Sequence, residues 1–158
     1  LRAMGLGRGD RVGIWLEKLF ETVVASFGAP AAGGVMVPMN PLLKPEQVAF
    51  IAQDCNVQVL VTSPERLALL APVLAACPDL RHLILETAFA EEQHGLAVAS
   101  RHLCPSMSRT MLDEICGAPA VHISHLKPGV GERIMEQLRA AGSALEVRRL
   151  DQGDVLEF

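Results

Sequence analysis

With 158 residues, 50% of them hydrophobic and 20% charged, the chain can bury the core of one ordinary domain or of two small ones. Its net charge of -4, its single Trp and its lack of Tyr argue against a nucleic-acid partner, because neither a basic surface nor a base-stacking platform is indicated. The sequence shows no signal-peptide pattern and no apolar run long enough to span a bilayer, which predicts a cytoplasmic protein.

In the first half, strand-like and helix-like segments alternate. Short apolar runs bounded by turn residues predict strands at 11–16, 35–38, 57–62 and 83–85. Helical spacing, or a proline in a first turn, predicts helices at 18–32, from 45 and from 64. Pro30 is expected to kink or end the first of these helices.

The alternation of strand-like and helix-like segments continues after Phe89, although the sequence pattern changes there. Helices are predicted at 91–100, 106–116 and 131–141, and strands at 119–124, 144–150 and 155–158. Short links between strands and helices favour parallel pairing. We therefore expect an α/β fold with a layered, mostly parallel sheet and helices on both faces. It would be built from two partial domains, 1–85 and 86–158.

The four cysteines of the chain are widely spaced, and no two of them form a Cys-x-x-Cys pair. This spacing argues against a zinc ribbon and against a disulfide framework. Buried free thiols in a reducing cytoplasm are the expected state of Cys55, Cys77, Cys104 and Cys116.

A series of glycine- and proline-containing motifs runs through the first half. They are GRGDRVGI at 7–14, ETVVA at 21–25, AGGVMVPMNP at 32–41, LKPEQ at 43–47 and VLVT at 59–62. Residues 1–85 resemble the N-terminal segment of AMP-forming acyl-CoA ligases of the adenylate-forming superfamily, and within it the exosortase-associated type. The resemblance implies a reaction of a carboxylic acid with ATP and CoA that yields an acyl-CoA.

ATP binding in that family depends on segments that this sequence does not contain. They are a Ser/Thr/Gly-rich phosphate loop, an aromatic-Thr-Glu segment, a ribose-binding Asp and a mobile Lys. The glycine-rich stretch 5–9 precedes a predicted strand and does not open a helix, so a plain turn is expected there. Adenylation by this chain alone is therefore not expected.

In the second half, the run VHISHLKPG at 121–129 predicts a buried strand that ends near His125 and breaks at Pro-Gly. Such a histidine lies at the carboxyl edge of a sheet, where ligand and metal sites are commonly built. Together with LILETAF at 83–89, AVASRHLCP at 97–105 and RRLDQG at 148–153, it resembles the C-terminal part of metallo-β-lactamase-fold, cyclic-nucleotide phosphodiesterase-like hydrolases.

This second resemblance implies roles for three residues. His125 would be a terminal ligand of zinc or manganese, and His102, oriented by Glu86, would protonate a leaving oxygen. The chain has no His-x-His-x-Asp-His cluster, and one histidine does not make a metal site. Structural alternatives therefore remain open, with His125 as a hydrogen-bonded strand end and His102 and Glu86 as solvated groups.

Three functions follow from these patterns. The first is a catalytically incomplete fusion or fragment, in which a ligase segment is joined to a metallohydrolase tail. The second is a metal-dependent phosphodiesterase or hydrolase that is completed by oligomerisation. The third is a non-enzymatic α/β interaction module. Self-association is expected in each case, because partial domains leave strand edges and apolar faces uncovered.

Overall fold

Strands and helices alternate along nearly the whole chain, as the sequence predicts. The computed structural model describes residues 1, 5–100, 102–115, 119–142 and 144–151. In these ranges the strands are β1 (Arg11–Trp15), β2 (Val35–Pro38), β3 (Val57–Thr62), β4 (His82–Glu86), β5 (Ala120–Ser124) and β6 (Val147–Arg149). The helices are α1 (Phe20–Ala31), α2 (Pro45–Asp54), α3 (Pro64–Leu70), α4 (His94–Ser100), α5 (Pro105–Asp113) and α6 (Gly131–Ala141). The strand predicted at 155–158 lies outside the described residues.

The described strands form one sheet in the order β2-β1-β3-β4-β5-β6, and every neighbouring pair is parallel. This confirms the predicted mostly parallel α/β sheet. The sheet is continuous where the two predicted segments meet, since Leu83 of β4 lies opposite Leu60 on one side and Val121 on the other.

Two apolar clusters cover the two faces of this sheet. On one face, side chains of β3, β4 and β5 pack with residues of α2, α3, α5 and α6. On the other face, Val12, Ile14 and Val59 pack with Ala29 of α1. Central strands that are apolar on both faces are typical of a parallel sheet covered by helices. The prediction of helices on both faces is therefore confirmed.

Several element boundaries differ from the sequence-based expectation. The helix predicted from 91 begins with a 3₁₀ turn at Glu91–Gln93 before α4. The strand predicted at 144–150 is shorter, at Val147–Arg149, and among the described strands it pairs with β5. Helix α1 ends one residue after Pro30, which is consistent with a proline that cannot donate to the preceding turn.

The cysteines that the structure describes are free thiols, as predicted. Cys77 and Cys104 are buried and Cys55 is partly buried, whereas Cys116 lies outside the described residues. Burial raises the pKa of the Cys77 thiol, which keeps it protonated at neutral pH. Within the part of the chain that the structure describes, no helix has the length and apolar character needed to cross a membrane.

Candidate functional site at the carboxyl edge of the sheet

The three site residues predicted from sequence come together at the carboxyl edge of the sheet. Glu86 ends β4 and lies opposite Ser124, the last residue of β5, and His125 follows directly. His102 reaches the same edge from the loop between α4 and α5. Neighbouring parallel strands bring their carboxyl ends to one edge, and this arrangement unites residues from distant parts of the sequence.

The geometry at this edge centres on the imidazole of His102. Its Nδ1 lies 2.7 Å from Oε1 of Glu86. Its ring stacks on that of His125, with 5.4 Å between centroids and 14° between planes. Phe89 flanks the same ring at 5.8 Å, and the Nζ atom of Lys127 lies 5.6 Å from the Phe89 centroid. The site is therefore a histidine held between a carboxylate, a second histidine and an aromatic ring.

Backbone conformation places His125 against His102. His125 has a φ of 58°, in the left-handed region that non-glycine residues rarely adopt. This turns the chain off the sheet directly after β5, and the Lys127 N–H then donates to the carbonyl of Ala88. Such a conformation costs on the order of 1–2 kcal/mol, so the surrounding contacts must hold it in place.

Electrostatics at Glu86 combine two opposing effects. Burial raises the pKa of its carboxyl group, and the charge and hydrogen bond of His102 act in the other direction. The side chains of Glu86 and His102 are 20% and 33% exposed. When the Glu86 carboxylate accepts a hydrogen bond from Nδ1–H of His102, Nε2 is the atom of that imidazole that can accept or release a proton. The pair can therefore hold and move a proton at a partly accessible position.

The predicted zinc or manganese site does not fit these donors. In the described ranges, no three His, Cys, Asp or Glu residues are placed to hold one ion. The rings of His102 and His125 are nearly parallel, so their nitrogen lone pairs do not converge on one point. Nδ1 of His102 is, in addition, already bonded to Glu86. Structural zinc requires four converging ligands and catalytic zinc three. The role of His125 as a metal ligand remains a prediction without geometric support.

The glycine-rich stretch before β1 is a turn, as predicted, and does not form a nucleotide cradle. Gly9 has a φ of 89°, and its N–H donates to the carbonyl of Gly33. The N–H of Gly7 donates to the carboxylate of Asp10. Both donors are used within the chain, and the stretch leads into a strand. The residues present therefore do not form the glycine-rich helix N-terminus that surrounds phosphates in nucleotide-binding loops.

A second histidine pair, which sequence reasoning missed, lies between β4 and β5. Nδ1 of His82 is 3.1 Å from Nε2 of His122, and the His122 side chain is completely buried. Burial, followed by the proximity of His82, lowers the pKa of His122 to about 4. The sequence signal for this pair was His122, which stands in the middle of the strand sequence AVHIS. The identity of its partner, His82, could not be predicted because it depends on the register of β4 against β5.

Comparisons with known proteins find similarity to AMP-binding enzymes and to CoA ligases. The family model described as "AMP-binding enzyme" matches residues 1–122. The long-chain-fatty-acid–CoA ligase of Thermus thermophilus is 29% identical over 116 residues, which cover 66% of this chain and 21% of that ligase. The chain thus spans about a fifth of the length of this curated relative.

Two solved structures extend the similarity to three dimensions. The anthranilate CoA ligase AuaEII, in complex with anthranoyl-AMP, is 31% identical with a TM-score of 0.52, over 53% of this chain and 16% of that one. The A domain of a carboxylic acid reductase from Segniliparus rugosus shares the fold at 15% identity, with a TM-score of 0.53. That match covers 91% of this chain and 18% of the reductase chain, and so reaches into the second half.

Proposed function

Because the chain belongs to the AMP-binding enzyme family, we propose that it is a catalytically incomplete acyl-CoA ligase segment. The observation that carries the proposal is the family match over residues 1–122, supported by similarity to a long-chain-fatty-acid–CoA ligase and to a CoA ligase structure. The whole-protein reaction would join a carboxylic acid to CoA with consumption of ATP. A cytoplasmic location is part of the proposal and is favoured by the free thiols Cys55, Cys77 and Cys104.

The contribution of this chain to such an enzyme is the parallel sheet and the helices that cover it. Its glycine-rich turn is occupied by internal hydrogen bonds from Gly7 and Gly9, and the sequence lacks the family's phosphate loop. ATP and CoA would therefore be held by residues that the 158-residue chain does not have. We infer that the segment is a scaffold and does not activate acids by itself.

The predicted metallohydrolase character of residues 86–158 does not gain the same support. The family match runs past residue 85 to residue 122, and the two relatives named above at 29% and 31% identity are CoA ligases. The roles predicted for Glu86, His102 and His125 stay predictions, and the stacked geometry favours proton transfer over metal binding. The division into segments 1–85 and 86–158 likewise stays a proposal.

Pyrophosphate exchange tests whether the chain can activate acids by itself. We expect the purified chain, incubated with ATP, Mg²⁺ and a fatty acid, to exchange labelled pyrophosphate into ATP no faster than a blank without protein. The physical reason is that the glycine-rich turn of the described chain uses the N–H groups of Gly7 and Gly9 internally, so they are not available to phosphates. Exchange above the blank that depends on the fatty acid would contradict the scaffold role, because it requires a nucleotide site within these 158 residues.

A further inference from the structure

An open cleft of about 270 Å³ lies at the amino-terminal edge of the sheet, away from the Glu86–His102–His125 edge. Its floor and walls come from the segment before β1, from β3, and from the starts of β4 and β6. The lining residues are Gly5, Leu6, Gln58, Val59, Arg81, His82 and Arg148. Two guanidinium groups and an imidazole thus share one small concave surface, and the buried side chains of Leu6 and Val59 belong to the core beneath it.

The backbone fixes where the two arginines enter the cleft. The N–H of Arg81 donates to the carbonyl of Gln58 at 2.9 Å, and its carbonyl accepts from the N–H of Ala120 at 2.8 Å. Arg81 is therefore tied to the strands on both sides of β4. Arg148 lies opposite His122 in the β5–β6 ladder. The sheet therefore fixes the backbone position from which each guanidinium group reaches the cleft.

Both guanidinium groups have donors available. The side chain of Arg81 is exposed and has no hydrogen-bond or ion-pair partner within the described ranges. Arg148 uses Nε in a 2.7 Å bond to Glu146, and its two terminal nitrogens have no partner among the residues described. The nearby Asp10 carboxylate is already bonded to the Gly7 N–H and the Gln58 amide.

The buried histidine pair determines what His82 presents to the cleft. Nδ1 of His122 is buried without a partner in the described structure, and an unpaired buried N–H is rarer than an unpaired acceptor. We therefore assign the His122 proton to Nε2, from which it donates to Nδ1 of His82. A neutral His82 then carries its own proton on Nε2, which leaves an N–H donor on the side away from His122.

Burial and the neighbouring arginines favour the neutral form of both rings at the cleft. Burial lowers the pKa of His82, and the neighbouring Arg148 and Arg81 lower it further. Burial also lowers the pKa of His122 to about 4, with His82 and Arg148 acting in the same direction and Glu146 opposing them. Both imidazoles are thus neutral at pH 7, and a bound anion would relieve the repulsion that His82 experiences on protonation.

We propose that this cleft binds a small oxyanion, with Arg81, Arg148 and the His82 Nε2–H as donors. Guanidinium groups bind carboxylate and phosphate oxygens with charge-assisted hydrogen bonds. The volume is below the roughly 300–1,000 Å³ of pockets for drug-sized ligands, so the ligand is a small one. Carboxylate and phosphate share this chemistry, and the experiment distinguishes them.

Titration of the chain with sodium phosphate, and separately with sodium butyrate, tests the site at constant ionic strength and pH 7. The readout is the chemical shift of the His82 ring in the ¹⁵N-labelled protein. Saturable shifts with phosphate alone indicate a phosphate ligand, and saturable shifts with butyrate alone indicate a carboxylate ligand. Saturation with both indicates a general oxyanion site. Linear, non-saturating shifts with both anions would overturn the proposal.

Arginine variants distinguish anion binding in the cleft from a general effect of the anions on the charge of the protein surface. Arg81→Ala should weaken the apparent affinity by roughly tenfold or more, as expected for the loss of a hydrogen bond to a charged group. Arg81→Lys, which keeps the charge and removes the fork geometry, should give an intermediate affinity. Arg139→Ala is the matched control, because Arg139 is an exposed arginine on α6. Equal effects of Arg81→Ala and Arg139→Ala would contradict the site.

Discussion

His122 is an imidazole in the middle of an apolar strand, flanked by Val121 and Ile123. Its side chain is fully buried, with one ring nitrogen bonded to His82 and the other without a partner in the part of the chain that the structure describes. An unpaired buried polar atom costs on the order of 1–3 kcal/mol, and protonation of the ring would add a buried charge. The fold therefore depends on this histidine remaining neutral.

That dependence predicts a loss of stability at acidic pH. The pKa of His122 falls from 6.5 to about 4 on folding, so between these values the unfolded chain binds a proton that the folded chain does not. The free energy of unfolding should decrease as pH falls from about 6.5, and the loss should level off below about 4. At about 1.36 kcal/mol per pKa unit, the contribution is on the order of 3 kcal/mol.

Urea denaturation at a series of pH values measures this contribution. His122→Gln removes the titrating ring and keeps a polar side chain, so its unfolding free energy should vary less between pH 6.5 and 4. His94→Gln is the control, because His94 is exposed at the start of α4. If the His122→Gln variant keeps the same pH dependence as the wild-type chain, the account of the buried neutral ring is wrong.

Sequence reasoning located one cluster of histidines and missed the other, for a physical reason. His125 and Glu86 follow or end neighbouring parallel strands, so their proximity was predictable from strand ends alone. The contact between His82 and His122 runs diagonally across β4 and β5, because His82 lies opposite Ala120 and His122 opposite Ile84. A diagonal contact requires the strand register, which a single sequence does not contain.

Helix α1 has an apolar stripe on its exposed side. Phe20, Val23, Val24 and Phe27 recur at i, i+3, i+4 and i+7, and Phe20 and Phe27 are 77% and 75% exposed. The opposite side buries Ala29 against the sheet. A helix with apolar residues on both sides is typical of one that has neighbours on both sides. The helical spacing was visible in the sequence, but which side faces the sheet was not.

This stripe predicts self-association of the isolated chain through α1. We expect the double variant Phe20→Glu, Phe27→Glu to lower the average molar mass at a given protein concentration, because charged side chains disfavour burial of the stripe. Size-exclusion chromatography with light scattering measures the effect. Leu42→Glu is the control, since Leu42 is 89% exposed but lies in a turn outside the stripe. A wild-type chain that is monomeric at all concentrations would contradict the prediction.

At the scale of the whole molecule, the fold class was predictable and the strand order was not. Alternating strand and helix patterns with short links predict parallel pairing without reference to any known structure. The order β2-β1-β3-β4-β5-β6 depends on the side of the sheet on which each helix crosses. Ala29 of α1 packs on one face, and residues such as Leu67 of α3 and Ile134 of α6 pack on the other.

A chimera tests whether this chain is a ligase scaffold. Residues 1–122 would replace the corresponding segment of the Thermus thermophilus long-chain-fatty-acid–CoA ligase, and fatty-acid-dependent pyrophosphate exchange would be measured. The account predicts exchange above the blank, and its loss when Leu83, which is fully buried in β4, is changed to Asp. A chimera that unfolds cooperatively on heating, and is therefore folded, yet shows no exchange would contradict the account.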